Sequence, residues 1–291
     1  MGGADDAHEA VVSIVTPEGD ARPQACSGVL IAPRVVLTAG HCTIARSPSG
    51  LVVGVGPSAR MPTRTLAIAS VQTPTRYTAT RVDNQQGLDV GVIILAENAP
   101  MAPIAIARTA PPASATAIGF GLRTADAQSG ATRSAATVTI AATCTTLLTF
   151  GDLTTNACHG DSGGPLIART ADGAEAVFGV VSYGRTEACD PPSYAVRVDA
   201  YASFLDQVMA GVPSDACPSC PSPGMDCRAS AADAGAEGGE PPASREPLDD
   251  DRGCALGGRP PSAWLLLTAL FIAYARVRRG GRPFKFRTFS G

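Results

Sequence analysis

The sequence predicts an all-β protein, and two observations carry that prediction. From residue 10 to about residue 200 the chain is a series of short apolar, β-branched segments separated by Gly, Pro, Ser and Thr. Between them lies no long stretch with the 3.6-residue period of an amphipathic helix, so a sandwich or barrel is expected and alternating β/α units are not. In chain order the segments are "AVVSIVT", "CSGVLIA", "RVVLTAG", "LVVGVG", "LAIASVQ", "VGVIIL", "ATVTIAA", "AVFGVVSYG" and "YAVRV". One C-terminal helix closes the region: in "YASFLDQVMAG", Phe204, Leu205, Val208 and Met209 recur at helical spacing and Gly211 is a stop signal. The first domain is therefore placed at residues 1–211.

With 291 residues the chain can bury a sizeable core, so disulfides are helpers and not its sole staples. Charge divides it into three. Residues 1–211 carry 13 Arg against 17 acids, residues 212–253 carry 3 Arg against 9 acids, and residues 254–291 carry 7 basic residues and no acid. The middle region is rich in Pro, Ala, Gly, Ser and acids and cannot bury enough apolar surface to offset chain entropy, so it reads as a disordered acidic linker. The last region holds a 13-residue apolar run, Ala263–Ala275, expected as a short tail helix, against the roughly 20 residues a bilayer span requires. Arg276, Arg278 and Arg279 follow it, which would keep that end cytoplasmic and the large domain outside. The basic block follows an apolar run and is not interleaved with aromatics, so nucleic acid is not an expected partner.

Three segments carry residues whose chemistry fits together: "LTAGHC" with His41, "LDVGVIIL" with Asp89, and "NACHGDSGGPL" with Ser162. A serine hydroxyl is a weak nucleophile at neutral pH and needs a base, and imidazole has the pKa for that task. The imidazole in turn needs a carboxylate on its other nitrogen, and Asp89, at the head of an apolar strand, would be shielded enough to serve. The glycines beside Ser162 let the amides of Gly160 and Ser162 turn toward the oxyanion of a tetrahedral intermediate. His8 reads as a surface residue and His159 as part of a cleft rim.

"TAGHC", "LDVGVIIL" and "GDSGGPL", in the order His, Asp, Ser, resemble the trypsin/chymotrypsin family of serine endopeptidases over about residues 1–211. The resemblance implies two six-stranded β-barrels, with His41 and Asp89 on the first, Ser162 on the second, and the site between them. It implies protein or peptide substrates, no cofactor or metal, and a single chain. It also implies disulfides Cys26–Cys42 and Cys158–Cys189. Of the nine cysteines, Cys144, Cys217, Cys220 and Cys227 could form two more in any of three connectivities, leaving Cys254 over. The competing idea, a zinc site from Cys217, Cys220 and Cys227, lacks a nearby histidine.

In the family, "VSYG" (Ser182, Tyr183, Gly184) matches the strand that pairs with substrate backbone, and Asn156 matches the floor of the primary specificity pocket. An Asp there would favour Arg or Lys; Asn156 predicts a neutral, small side chain before the scissile bond. Pro192 stands where the family usually has Gly, which would narrow the pocket. Family members are made inactive and switched on when a new N-terminal ammonium pairs with the Asp before the nucleophile, here Asp161. Met1, Gly2 and Gly3 match the second to fourth residues of such a mature enzyme, so an export signal, a propeptide and an Ile or Val are expected upstream. Cys254 in "RGCALGG", the apolar run and the Arg cluster resemble the C-terminal sorting signals of myxobacterial surface proteins, with an ordinary membrane anchor as the alternative. The expected location is extracytoplasmic, secreted or surface-attached. The other function class is a non-catalytic binding module of the same fold; its usual mark, a lost member of the His, Asp and Ser set, is absent.

Overall fold

A computed structural model describes residues 3–17, 25–44, 46–74, 76–123, 130–186 and 188–211, with the backbone of 227–229. Met1, Gly2, Cys217, Cys220, the acidic linker beyond residue 229 and the apolar tail with Cys254 lie outside the described residues. Among the described residues no helix is long and apolar enough to cross a membrane.

The β-branched segments become strands, as their composition favours. In order they are β1 (Ala4–Asp5), β2 (Val11–Val15), β3 (Ala25–Ala32), β4 (Val35–Thr38), β5 (Val52–Val55), β6 (Arg64–Leu66), β7 (Ile68–Gln72) and β8 (Gly91–Leu95). Then come β9 (Ala105–Ile106), β10 (Ser114–Gly119), β11 (Ser134–Cys144), β12 (Leu147–Phe150), β13 (Pro165–Arg169), β14 (Glu175–Gly184), β15 (Ser193–Arg197) and β16 (Cys227–Ala229).

The first sheet runs β6-β5-β2-β3-β4-β8-β7. Only Ala67 separates β6 from β7, so one bent length of chain pairs with β5 at one end and β8 at the other, and the sheet curls round on itself. Val11, Val12, Val29, Leu30, Val36 and Leu37 are all 0% exposed. Burial of both strand faces is why "AVVSIVT" and "RVVLTAG" read as continuous apolar runs without alternation. The second sheet runs β11-β10-β13-β14-β15-β12, and β12 pairs back onto β11, closing a six-strand barrel. Here alternation is legible: Val138 and Ile140 point into a core with Leu148, Phe150 and Leu166, while Thr137 and Thr139 face out.

The expected helix is α2 (Ala202–Met209), following a helix the sequence did not announce, α1 (Arg81–Gln85). Phe204, Leu205 and Val208 are buried, and Gly211 ends the helix at a left-handed φ of 76° that favours glycine. Just before α2, the buried Tyr201 donates its hydroxyl to the Gly87 carbonyl at 2.7 Å, fixing the approach to Asp89. The α1 turn does the same from the other side through a capping box: Thr80 Oγ1 accepts from the Asp83 N–H at 3.1 Å, and the Asp83 carboxylate accepts from the Thr80 N–H at 3.2 Å.

Cys26–Cys42 and Cys158–Cys189 are disulfides with Cα separations of 6.3 and 5.1 Å. Cys144 is also disulfide-bonded, and Cys227 stands opposite it in the β11–β16 pairing.

The N-terminal segment is strapped to the second barrel. Ala4 and Asp5 pair with Ala135 and Ser134, Asp5 meets Arg123, and the buried Arg133 guanidinium lies 3.7 Å from the Asp6 carboxylate. His8 then bridges two carboxylates, Asp6 at 2.8 Å and Glu175 at 3.3 Å. Partial burial opposes charge on this imidazole, but the two carboxylates outweigh it and hold its pKa above 6.5. A raised histidine pKa contributes stability that is complete below the unfolded value and lost as pH rises through the folded one. His8→Gln is therefore expected to destabilise the protein more near pH 5.5 than near pH 8.5, by up to about 1 kcal/mol for a pair this exposed. Equal losses at the two pH values in urea melts would contradict the clamp.

Candidate active site

The site begins where β4 ends. Thr38 and Ala39 lead into a single turn of 3-10 helix, Gly40–Cys42, closed by the Thr43 N–H on the Gly40 carbonyl at 2.9 Å. A Cβ on Gly40 would stand 2.7 Å from the Tyr77 ring, so only glycine lets this turn lie flat against Tyr77. The turn aims two groups of His41 at one carboxylate. The His41 backbone N–H donates to Asp89 Oδ1 at 2.8 Å, and Nδ1 lies 2.8 Å from Asp89 Oδ2.

Asp89 is 0% exposed and sits two residues before β8. A third donor reaches it from the second barrel: Ser182 Oγ, on β14, donates to Oδ2 at 2.5 Å. Burial alone would raise the Asp89 carboxyl, but the His41 imidazole and N–H with the Ser182 hydroxyl more than offset it and hold it below the ordinary carboxylate range. Burial likewise opposes charge on His41, and Asp89 outweighs it, leaving the imidazole above 6.5. The buried Tyr77 phenol, which donates to Asn84 Oδ1 at 3.0 Å, is pushed up by burial and then by the Asp89 charge.

Ser162 lies in the turn before β13. Gly160 and Gly163 take left-handed φ values of 96° and 82°, and a Cβ on Gly163 would stand 2.1 Å from Thr38 Oγ1 and 2.2 Å from the Ser27 carbonyl. That crowding is the joint between the two sheets. The Ser27 N–H donates to the Ser162 carbonyl at 2.8 Å, and Ser27 Oγ donates to the Gly160 carbonyl at 2.8 Å. Ser27 adjoins Cys26, whose disulfide to Cys42 ties the same strand to the His41 turn.

Behind the turn, Asp161 accepts the Gly121 N–H at 2.9 Å and the Cys158 N–H at 3.0 Å. Burial pushes its carboxyl up in spite of these donors. Gly119 and Gly121 make room for it: a Cβ on either would come within 2.5 Å of a carboxylate oxygen. The strapped N-terminal segment arrives here too, since Gly3, Asn156 and Asp161 line one small cavity of about 30 Å³.

Ser162 itself lines a separate cavity of about 70 Å³ with Ala157, His159, Tyr183, Gly184 and Cys189. Asn156, 6% exposed, lines the cavity with Gly3 and Asp161 and not the one beside Ser162; its Nδ2 donates at 2.8 Å to the carbonyl of Cys189, a residue on the wall of the Ser162 cavity. Pro192 stands just ahead of β15, and the wholly buried Ser193 is the residue paired opposite Gly184. Tyr183 stacks on Tyr194 with ring centroids 4.5 Å apart. Among the described residues, Cys26, His41 and Cys42 are close enough together to suggest a metal site, but the two sulfurs are bonded to each other and offer no thiolate.

A buried carboxylate holding an imidazole, and a glycine-bound serine turn pinned to the same strand, agree with the chain's similarities. The sequence profile of the family described as Trypsin matches residues 2–205. The chain belongs to the trypsin family of serine endopeptidases. It is 32% identical over 231 residues to a protein named Trypsin from Saccharopolyspora erythraea, covering 70% of this chain and 94% of that one. To a Chymotrypsin of Phaedon cochleariae it is 29% identical over 203 residues, 62% of this chain and 70% of that one. To Chymotrypsin-C of Rattus norvegicus it is 40% identical, but over only 60 residues, 20% of this chain and 22% of the relative. The protease's family match takes in β1 to β15 and the start of α2, and stops short of β16, the linker and the tail.

Four features of the protease had gone unread in its sequence: Ser27, the Gly119 and Gly121 pair, Ser182 as a donor to Asp89, and the α1 cap. The glycines had a local signal in the "GFG" that ends β10 and the α1 cap had one in the Thr80-x-x-Asp83 spacing of a capping box, whereas Ser27 and Ser182 had none.

Proposed function

We propose that the protease hydrolyses peptide bonds with Ser162 as nucleophile, His41 as general base and Asp89 as the orienting carboxylate. The two-point contact of Asp89 with His41 carries this reading. One oxygen on the backbone N–H and one on Nδ1 fix both the ring and its tautomer, so proton exchange with Ser162 falls to Nε2. Ser162 Oγ attacks the scissile carbonyl as its proton passes to His41. The tetrahedral oxyanion is received by the amides of Gly160 and Ser162, a role supported by the left-handed Gly160. Collapse expels the amine, which takes the proton from His41, and leaves an acyl ester on Ser162. Water repeats the sequence and frees the acid.

A neutral side chain before the scissile bond follows from Asn156, which supplies no anion for Arg or Lys. Asp161 is proposed as the partner of an N-terminal ammonium in the active form; its buried carboxyl and the strap that brings Gly3 beside it support this. Export and surface attachment rest on the tail resemblance. Mass spectrometry of the exported protein is expected to find a C-terminus shortened near Cys254, and an intact Gly291 would count against processing.

The direct test is a fluorophosphonate probe with a peptide assay. The wild-type protease is expected to label at Ser162, and Ser162→Ala to lose labelling and at least about 10⁴-fold in kcat. Because His41 must be neutral to act and its pKa is raised, kcat/KM is expected to fall toward acid with a midpoint above 6.5. Hydrolysis that survives Ser162→Ala would remove the assignment of Ser162, and a wild-type protein with no Ser162-dependent labelling would favour a binding module.

A further inference from the structure

Beyond α2 one more piece of chain is described, β16 (Cys227–Ala229), and it lies past the end of the family match at residue 205. It adds to β11 as an antiparallel strand in a three-pair register: Ala142 opposite Ala229, Thr143 opposite Arg228, and Cys144 opposite Cys227. So short a ladder is marginal on its own backbone pairing. The cysteines indicate what holds it. Among the described residues Cys26 is bonded to Cys42 and Cys158 to Cys189, while Cys144, 5% exposed, is disulfide-bonded as well. Its partner is therefore Cys217, Cys220, Cys227 or Cys254. Cys227 stands directly across the ladder, where Cα atoms are about 4.5–5.5 Å apart, within the span a disulfide bridges. A slip of one residue would put Asp226 or Arg228 there instead.

We infer that Cys144 and Cys227 form a disulfide that fastens the root of the C-terminal linker to the second barrel, leaving Cys217 and Cys220 to pair with each other. The catalytic domain is thereby joined to its tail twice, once through residues 212–226 and once through sulfur. Cutting residues 212–226 does not free the domain; release takes a cut beyond β16 or a thiol reductant. The anchor is a fixed point of the barrel. The Cys144 carbonyl accepts from Arg197 Nη1 at 2.7 Å, and Thr146, two residues on, donates its hydroxyl to the Gln86 carbonyl at 2.9 Å. The bond forms when the two thiols pass two electrons and two protons to a disulfide-bearing oxidant, as an oxidising compartment supplies. A dithiol reverses this: its thiolate attacks one sulfur, the other leaves as a thiolate and takes a proton, and the reagent's second thiol frees the remaining cysteine as the reagent becomes a disulfide.

The test uses the full chain as Ser162→Ala, so that the outcome is independent of proteolysis by the protein itself, with a recognition sequence for a site-specific protease inserted between Ser222 and Pro223. After cutting, the C-terminal fragment is expected to stay with the domain on a denaturing gel without reductant and to leave it when dithiothreitol is added. Cys227→Ser is expected to lose the fragment with no reductant present. Peptide mapping of the cut chain in acid, where disulfides do not exchange, is expected to find Cys144 joined to Cys227. Release of the fragment without reductant, its retention in Cys227→Ser, or a map that joins Cys144 to Cys217, Cys220 or Cys254 would each overturn the inference and leave the proposal for Ser162 untouched.

Discussion

Everything at the centre of this protein is arranged around one carboxylate that has no access to water. An ionised Asp89 at 0% exposure would be prohibitive in an apolar interior, where an isolated charge instead becomes neutral. It is kept as an anion by three donors drawn from different parts of the chain: the backbone and ring of His41 after β4, and the hydroxyl of Ser182 on β14. The first two belong to the curled first sheet and the third to the closed barrel. The carboxylate is satisfied only when the two sheets are docked, so the charge that orients the imidazole also registers one half of the fold against the other.

The serine turn is held by the same logic with neutral groups. Ser27 gives its N–H to the Ser162 carbonyl and its hydroxyl to the Gly160 carbonyl, and Gly163 lies too close to Thr38 and Ser27 for any side chain. The base and the serine therefore hang from one strand, β3, through the Cys26–Cys42 disulfide on one side and Ser27 on the other. Asp161 repeats the theme behind the turn, where burial works against its charge and Gly119 and Gly121 stand aside to seat it.

These constraints set what could be read in advance. Strand-forming runs, the α2 face and the three segments with His41, Asp89 and Ser162 are local patterns, and sequence reasoning reached them. Alternation is clear in β11, whereas β2, β3 and β4 of the first sheet are buried on both faces and lose the period of two. Ser27 and Ser182 were not recognisable as structural donors, since a serine's hydrogen-bond partner is set by tertiary packing: Ser182 reads as part of a substrate-binding strand and yet spends its hydroxyl on Asp89. Asn156 is read from its match to the family's specificity pocket, whereas its actual surroundings, the cavity shared with Asp161 and the bond to the Cys189 carbonyl, depend on how the Cys158–Cys189 disulfide folds the chain around it.

The pairing of Asp89 with His41 is most directly tested by nitrogen-15 NMR of the protein labelled in histidine and titrated through the neutral range. The account predicts that His41 keeps its proton on Nδ1 at every pH, in a strong hydrogen bond to Asp89, while Nε2 titrates with a pKa above 6.5. A neutral His41 carrying its proton on Nε2, or one whose titration is unchanged by Asp89→Asn, would contradict it.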